Sequence, residues 1–593
     1  MARNLVALFE EQVRHRTGAP AVRQKVGGRW EDVSWADMAR RARDLSDGLA
    51  ALGLQRGDRV ANLAETGLTW ILADLGILGA AGIVVTIYQS NRAKECEFIL
   101  ADSGARWVVC DTEAQVAKIR EVRGGLPALE GILRATGAPA GPGERSLADV
   151  EALGAAWREG HPAAHEERVA ALGPDDPASF IYTSGTTGNP KGVVLTHGNW
   201  TYEARGLGGL GVIGTEDVIL MFLPMAHSFA KAIEAVWFGT GATMAFVESL
   251  DRLVENAAEV HPTVMPAVPR IFEKAYNAVV AKGLATPGLR GRLFAMALGG
   301  FDAWVNSREQ GRERVTLGLR LGRRVVFPKL SAALRERFGG RLRVFVSGGA
   351  PLSPRIAWFF DAVGMTILEG YGLTESSAGT FINRPGASKV GTVGPPVPGT
   401  EVRIAEDGEI LVKGPGVMQG YFHAPAATAE VLRDGWLATG DIGEVDADGF
   451  LRITDRKKDI IVTAGGKNVA PQNLENELKS SEPLVSQVMV HGDRRRFLSA
   501  LVTLNEEAAR RWATDQGVPP GAPLDREPRV IARIQRAIDA LNERQASYAT
   551  IKKFAILPGD FTQESGELTP TLKVKRKVVT KNHAAIIEAF YQE

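Results

Sequence analysis

YTSGTTGNPKG, from Tyr182 to Gly192, is the stretch on which the reading of this chain turns. Gly185, Gly188 and Gly192 let the backbone approach a ligand closely, while Thr183, Ser184, Thr186 and Thr187 supply hydroxyls and Lys191 a cation. That combination suits a polyphosphate. A Walker loop ends in Gly-Lys-Ser/Thr and opens a helix. Here Lys191 lies between Pro190 and Gly192, and the run after it, VVLTH, has strand character. With the apolar Phe180-Ile181-Tyr182 in front, the segment predicts a strand-loop-strand hairpin closing over phosphates. The alternative, a solvated Gly/Ser/Thr turn, has no use for so many hydroxyls ending in a lysine.

Three further segments follow in the chain: EGYGLTESS from Glu369 to Ser377, WLATGDIGEVDADGFLRITDRKKDIIVTAGGKNVAP from Trp436 to Pro471, and GELTPTLKVKR from Gly566 to Arg576. In this order and at these separations, the four segments resemble the adenylate-forming acyl-CoA synthetases, which share a fold with firefly luciferase and the adenylation domains of peptide synthetases. The resemblance spans nearly the whole chain. It implies an α/β architecture with a large N-terminal domain of layered sheets and helices, residues 1–455, that binds AMP and the acyl group. A small mobile α+β C-terminal domain, residues 456–593, would carry the adenylation lysine, the two being joined near Asp455 to Lys458.

Composition agrees with such a protein without specifying it. At 593 residues the chain exceeds what one hydrophobic core holds, so at least two domains are expected. An apolar fraction of 45% with 23% charged residues fits a globular enzyme. A formal net charge of +1 provides no global attraction to nucleic acid. The two cysteines, Cys96 and Cys110, lack metal-ligand spacing and argue for a reducing compartment, by default the cytoplasm. MARNLVALFEEQVRHRTG at the N-terminus lacks a signal-peptide core and predicts a short amphipathic helix. Trp70 to Tyr88 is apolar enough to suggest a membrane span, but Asp74 interrupts it and Gly79 and Gly82 divide it, so a buried helix followed by a strand is expected.

Short β-branched runs alternating with helical patterns, at 84–88, 107–110, 180–184, 218–223 and 343–348, predict α/β layers with largely parallel sheets. Beyond Lys458, strands are expected at IIV and SQVMVHG, with helices at 471–480, 529–547 and 581–592. Charge is unevenly distributed. From Lys282 to Arg343 fourteen basic residues stand against four acidic ones, a local excess of +10 that leaves −9 elsewhere. Apolar residues recur there at helical spacing: Leu293, Phe294, Met296 and Leu298, then Leu317, Leu319, Val325 and Val326. A solvated basic face is one reading, and contact with acidic phosphates or an anionic membrane is the other.

The resemblance also assigns roles. Activating a carboxylate with ATP brings two anions together, so catalysis is largely positioning and charge neutralisation. The loop hydroxyls and Lys191 would hold the β- and γ-phosphates, and Mg²⁺ would be ligated by Thr183 and Glu375. Tyr371, within Glu369-Gly370-Tyr371-Gly372, would stack on adenine, with Gly348, Gly349 and Ala350 on the opposite side and Thr374 near the α-phosphate. Asp441 and Arg456 would bind the ribose. Lys573 matches the adenylation lysine, although the family more often has Ser-Gly where this chain has Thr571 and Leu572. Lys458 matches the hinge that exchanges Lys573 for the loop Thr463 to Asn468, where Gly465 and Gly466 would admit the CoA thiol. His227 would be a gate near the acyl tunnel, or a core histidine bonded to backbone.

The implied reaction is conversion of a long-chain fatty acid, with ATP, to acyl-adenylate and then, with CoA, to acyl-CoA. Transfer to a carrier-protein thiol, an aryl-CoA ligase, a luciferase-like oxygenase and a non-catalytic nucleotide-binding protein are the competing readings; the last would be expected to lack Lys573 or Glu375. Oligomeric state, monomer or homodimer, is not encoded in any of these motifs.

Overall fold

The computed structural model describes residues 2–183, 190–309, 311–464, 466–569 and 572–592. Ser184, Gly185, Thr186, Thr187, Gly188 and Gly465, named above, therefore lie outside the described residues.

β-Branched runs buried on both faces build two eight-stranded sheets, as expected where helices cover a parallel sheet on each side. One runs in the order Phe381–Ile382, Thr366–Tyr371, Val344–Ser347, Val264–Ala267, Val218–Met221, Thr243–Phe246, Pro20–Val26, Arg29–Ser34, parallel except at its two edges. The other runs Gly420–Tyr421, Lys191–Thr196, Pro177–Thr183, Ile83–Thr86, Arg59–Leu63, Trp107–Cys110, Gly131–Arg134, Glu144–Ser146, antiparallel only among its first three strands. A smaller antiparallel sheet contains the strands Glu409–Lys413, Trp436–Val445 and Leu451–Arg456. The glycine- and threonine-rich loop joins Pro177–Thr183 to Lys191–Thr196, with Thr183 opposite Lys191, the strand-loop-strand arrangement its sequence predicts.

The apolar stretch from Trp70 to Tyr88 is divided as its glycines indicate, into the buried helix Leu68–Gly79 and the strand Ile83–Thr86. Among the described residues no helix is long and apolar enough to cross a membrane. Asp74, the acid that interrupts the stretch, has a partner. Lys231 of the helix Ser228–Thr240 donates to it at 2.5 Å and lies 3.0 Å from Glu234, all three side chains being buried. Burial works against the charge of Lys231, and the two carboxylates more than offset it. Burial, and then the charge of Asp74, push the Glu234 carboxyl upward.

Residues beyond Ile461 pack into cores of their own. Strands Val485–His491, Leu498–Leu504 and Ile551–Ile556 form a sheet covered by helices Pro471–Ser481 and Pro528–Asn542. On its other side Met489, Leu501, Leu557, Phe561, Val579 and Ile587 make a second cluster. The helix predicted at 581–592 is instead broken at His583 into Arg576–Asn582 and Ala584–Ala589. The His583 ring bonds Glu567 at 2.8 Å, a tertiary contact that helical periodicity does not reveal. In the basic region the helically spaced apolar residues divide between interior and surface. Ala297, Phe301, Trp304, Val305 and Leu319 are buried, while Met296 is 46% and Leu317 80% exposed.

The buried triad yields a stability prediction. Lys231→Met should cost about 3–5 kcal/mol, because it leaves Asp74 and Glu234 buried without a cation. Glu234→Gln should cost less. Urea unfolding followed by tryptophan fluorescence checks both, and a Lys231→Met loss below about 1 kcal/mol would contradict the triad's role.

Candidate active site

The carboxyl ends of parallel strands are where α/β sheets place ligands. Val344–Ser347 and Thr366–Tyr371 end at a cleft of about 790 Å³ between the large sheet and the small domain. Gly349, Ala350, Glu369, Gly370, Tyr371 and Gly372 form one wall. Gly349 has φ +82, a backbone region that favours glycine. A Cβ on Gly372 would stand 2.0 Å from the Ala378 carbonyl, so a bare backbone is required there. Gly348 lies behind this wall, where an added Cβ would stand 3.3 Å from the Phe229 ring.

Asp441 joins the opposite wall to this one. It pairs with Arg456 across neighbouring antiparallel strands, and the Arg456 Nε donates to its Oδ1 at 2.8 Å. The Tyr371 hydroxyl donates to its Oδ2 at 2.6 Å. Burial, reinforced by the charge of Asp441, holds the Tyr371 phenol well above its ordinary value, so it remains a donor. Each carboxylate oxygen keeps a further lone-pair site, enough for an incoming hydroxyl.

Lys573 comes into the same cleft from the small domain, in the same wall as Leu572 and Val574. Its amine is pushed down to about 8, first by burial and then by the neighbouring Arg456 cation, with Asp441 partly offsetting both. Leu572 has φ +61, so the leucine that replaces the more usual glycine occupies a backbone region where glycine is at home.

His227 caps the helix Ser228–Thr240, its Nδ1 accepting from the Phe229 N–H at 3.1 Å. The bond to backbone therefore exists, and it leaves the proton on Nε2 of the neutral ring. Burial, and then the charge of Lys573, push its pKa down to about 3. The ring meets Tyr88 edge-on at 6.4 Å between centroids. Ser228 next to it bonds Thr374 at 3.2 Å, carrying the contacts on to EGYGLTE.

A residue not singled out in the sequence connects that motif to the loop. The Tyr421 hydroxyl donates to Glu375 at 2.8 Å, and Lys191 Nζ lies 5.0 Å from the centre of its ring. Tyr421 belongs to the two-residue strand Gly420–Tyr421, added to the sheet edge beside Lys191–Thr196. Its sequence surroundings carry no signal of such a role. Glu369 is also altered by its position: burial favours its protonated form and pushes its carboxyl up to about 8, partly offset by the Gly391 N–H.

Two residues stand apart from this group. Lys458 is exposed, in the turn after Leu451–Arg456, and makes no hydrogen bond or ion pair with any described residue. Gly466 has φ +71 and closes the turn from Thr463 to Lys467, its N–H donating to the Thr463 carbonyl at 2.8 Å, and does not line the cleft.

Known proteins share this arrangement over its full length. Residues 9–422 match the AMP-binding enzyme family and residues 458–593 the AMP-binding enzyme C-terminal domain. The long-chain-fatty-acid–CoA ligase FadD15 of Mycobacterium bovis is 41% identical over 597 aligned residues, covering 100% of this chain and 97% of its own length. The long-chain-fatty-acid–CoA ligase ACSBG2 of Xenopus laevis is 30% identical, covering 99% and 83%. Among solved structures, ATP-bound MatB from Rhodopseudomonas palustris superposes with a TM-score of 0.73 at 24% identity, covering 99% of this chain and 100% of its own. The anthranilate CoA ligase AuaEII with anthranoyl-AMP gives 0.73 at 21%, covering 99% of both. With both segments matched and relatives aligned end to end, the chain belongs to the AMP-binding enzyme family.

Proposed function

We propose that this chain activates a long-chain fatty acid with ATP and transfers the acyl group to CoA. The observation that carries the reading is Lys573, brought by the small domain into the cleft that holds Tyr371, Asp441 and Arg456. The long-chain substrate follows the ligase relatives, at 40–41% identity over the whole chain.

In the first half-reaction a fatty carboxylate oxygen attacks the α-phosphorus, the bond to the bridging oxygen breaks, and pyrophosphate leaves. The carboxylate is already ionised at neutral pH, so no general base is needed. Tyr371 offers adenine one face, with Gly349 and Ala350 across from it. Asp441, oriented by Tyr371 and Arg456, accepts from the ribose hydroxyls. The Lys573 cation meets the charge that develops between the carboxylate and the α-phosphate, in a buried site where electrostatic effects are strong. Neutral His227, with Tyr88 against it, separates this centre from the acyl chain.

Thr183 and Glu375 offer the hard oxygens that Mg²⁺ prefers, and Tyr421 already orients the Glu375 carboxylate. Among the described residues no three His, Cys, Asp or Glu side chains cluster as a metal cage, which suits an ion held by one carboxylate and substrate phosphates. When bound, Mg²⁺ would neutralise phosphate charge.

For the second half-reaction the small domain, residues 456–593, turns about Lys458 relative to residues 1–455. It withdraws Lys573 and presents the loop Thr463 to Asn468, where Gly465 and Gly466 admit the pantetheine thiol. The sulfur attacks the acyl carbonyl and AMP leaves. Support comes from Lys458, which bonds to no described residue, and from Gly466 lying outside the cleft while Lys573 lies within it. Buried, unpaired Cys96 and Cys110 agree with a reducing cytoplasm.

The basic region gives the enzyme a place to collect its substrate. Leu284, Leu289, Met296 and Leu317 are 53%, 72%, 46% and 80% exposed, and the exposed Arg290, Arg292, Arg320 and Arg324 lie close to them in sequence. Apolar side chains interleaved with cations fit peripheral contact with an anionic bilayer, at about 1 kcal/mol per basic residue near the surface. Arg323 is engaged within the protein, its guanidinium lying 5.3 Å from the centre of the Trp304 ring.

Lys573→Ala is expected to slow adenylate formation about 100-fold or more while sparing thioester formation from supplied acyl-AMP. Equal loss in both would remove the assignment. Because the Lys573 pKa is lowered to about 8, raising pH through 8 discharges it in the free enzyme, so kcat/KM for adenylation should fall on that limb. Stability moves the opposite way. Between about 8 and the ordinary lysine range the unfolded chain binds the extra proton, so this group's contribution to stability rises with pH.

Lys458→Pro fixes φ at the proposed hinge and should let acyl-adenylate accumulate while thioester yield collapses. A parallel fall in both, read by quenched-flow with and without CoA, would place the hinge elsewhere.

Replacing Arg290, Arg292, Arg320 and Arg324 by Ser should weaken binding to phosphatidylserine vesicles, leave activation of a short soluble acid unchanged, and remove the salt dependence of sedimentation. Undiminished sedimentation, or equal binding to neutral vesicles, would make this face merely solvated.

A further inference from the structure

Burying Lys573 beside Arg456 is costly, as its lowered pKa records. Before ATP arrives, Asp441 only partly offsets the cost of bringing the lysine into the cleft. A fastening lies away from the chain crossing at 455–458, in a largely buried polar contact between the two domains. The helix Pro269–Leu284 begins two residues after the strand Val264–Ala267, and its N-terminal end carries Arg270 and Glu273. Arg270 Nη1 donates to the Ser486 carbonyl at 2.8 Å and Nη2 to the Ser486 hydroxyl at 2.6 Å. Glu273 holds the same guanidinium at 3.2 Å and accepts from Lys479 of the small domain at 3.4 Å.

The small-domain side is built to receive an arginine. The Ser486 hydroxyl donates to Asp560, whose Oδ2 lies 3.9 Å from Arg270. The other oxygen of Asp560 accepts from Thr503 Oγ1 at 2.6 Å and from the Phe561 N–H at 2.9 Å, which fixes its orientation. Arg270, Glu273 and Lys479 are all largely buried. Two donors of one rigid guanidinium fork on two acceptors of one residue demand a single relative placement of the domains. Further described contacts join Arg92 to the Glu564 carbonyl and Asn473 to the Thr454 carbonyl, both exposed, and, where the chain crosses between the domains, Arg456 to Asp441 and Lys457 to Asp407 and Glu409.

We infer that Arg270 is a positioning residue for the adenylation half-reaction: its grip on Ser486 holds the small domain where Lys573 enters the cleft, and it must be released before the thiol can attack. This rests on the two-orientation reading above. Arg270 acts through domain placement, so its removal shifts a balance and leaves the chemistry of each half-reaction intact.

The test uses the full chain with Arg270→Ala, Arg270→Lys and Ser486→Ala, with Lys573→Ala as reference. ATP–pyrophosphate exchange reports the first half-reaction, and thioester formation from supplied acyl-AMP and CoA reports the second. Loss of a charge-assisted pair should slow exchange about 10-fold in Arg270→Ala, leave the second reaction unchanged or faster, and be partly restored in Arg270→Lys. Ser486→Ala, which keeps the carbonyl acceptor, should move exchange in the same direction by less. Equal loss of both reactions in Arg270→Ala and Ser486→Ala, or undiminished exchange, would overturn the inference. If Lys573→Ala itself lowers both reactions alike, the two-orientation reading fails. If it lowers exchange alone while Arg270→Ala lowers nothing, only the role of Arg270 falls.

Discussion

The carboxylate of Asp441 is the constraint on which the rest of the site depends. It receives Tyr371 from the carboxyl end of a strand in one sheet and Arg456 from the neighbouring strand of another, so it ties together two layers at the floor of the cleft. Removing any partner would leave a buried charge or a buried phenol without its bond, which is costlier than the bond is worth. Arg456 lies two residues before Lys458, so the same carboxylate also anchors the chain where it leaves the large domain. The salt bridge spans the proposed boundary: Asp441 belongs to the fixed part of the enzyme, and Arg456 opens the part proposed to move.

Charge in the interior is arranged so that few groups bear the cost of burial alone. Burial favours the neutral form of Glu369 and of His227, and Lys231 is shared by two acids. Lys573 is the exception, a cation pressed by burial and by Arg456. Asp441, substrate phosphates and contacts at the domain interface work against that pressure, which makes the interface part of the proposed catalytic apparatus.

Local patterns are legible in the sequence, and contacts across long sequence separations are not. The hairpin at Thr183 and Lys191, the helix-strand division at Gly79, and the parallel sheets follow from glycine placement and β-branched runs. Tyr371, Asp441, Arg456 and Lys573 stand out through motifs, which record chemistry, whereas their mutual bonding is visible only in three dimensions. Tyr421 is silent because a tyrosine on a two-residue edge strand has no periodicity to mark it. Arg270 is silent because its partner lies 216 residues away. In the basic region spacing identifies helices but not the face that turns inward, which is set by Phe359 and Trp358 on a neighbouring helix.

Leu572 bears on how the small domain transmits force. Its backbone is held at φ +61, and it packs against the cluster containing Met489, Leu501 and Leu557. A glycine there would let the loop flex and let the lysine find its own way into the cleft. A leucine anchored in the domain's core instead makes Lys573 the tip of a stiff lever, whose reach is set by rotation of the whole body. The cost of that stiffness is sensitivity: repacking at Met489 or Leu557, remote from any substrate, would swing the tip off target and be read in kinetics as damage to the active site.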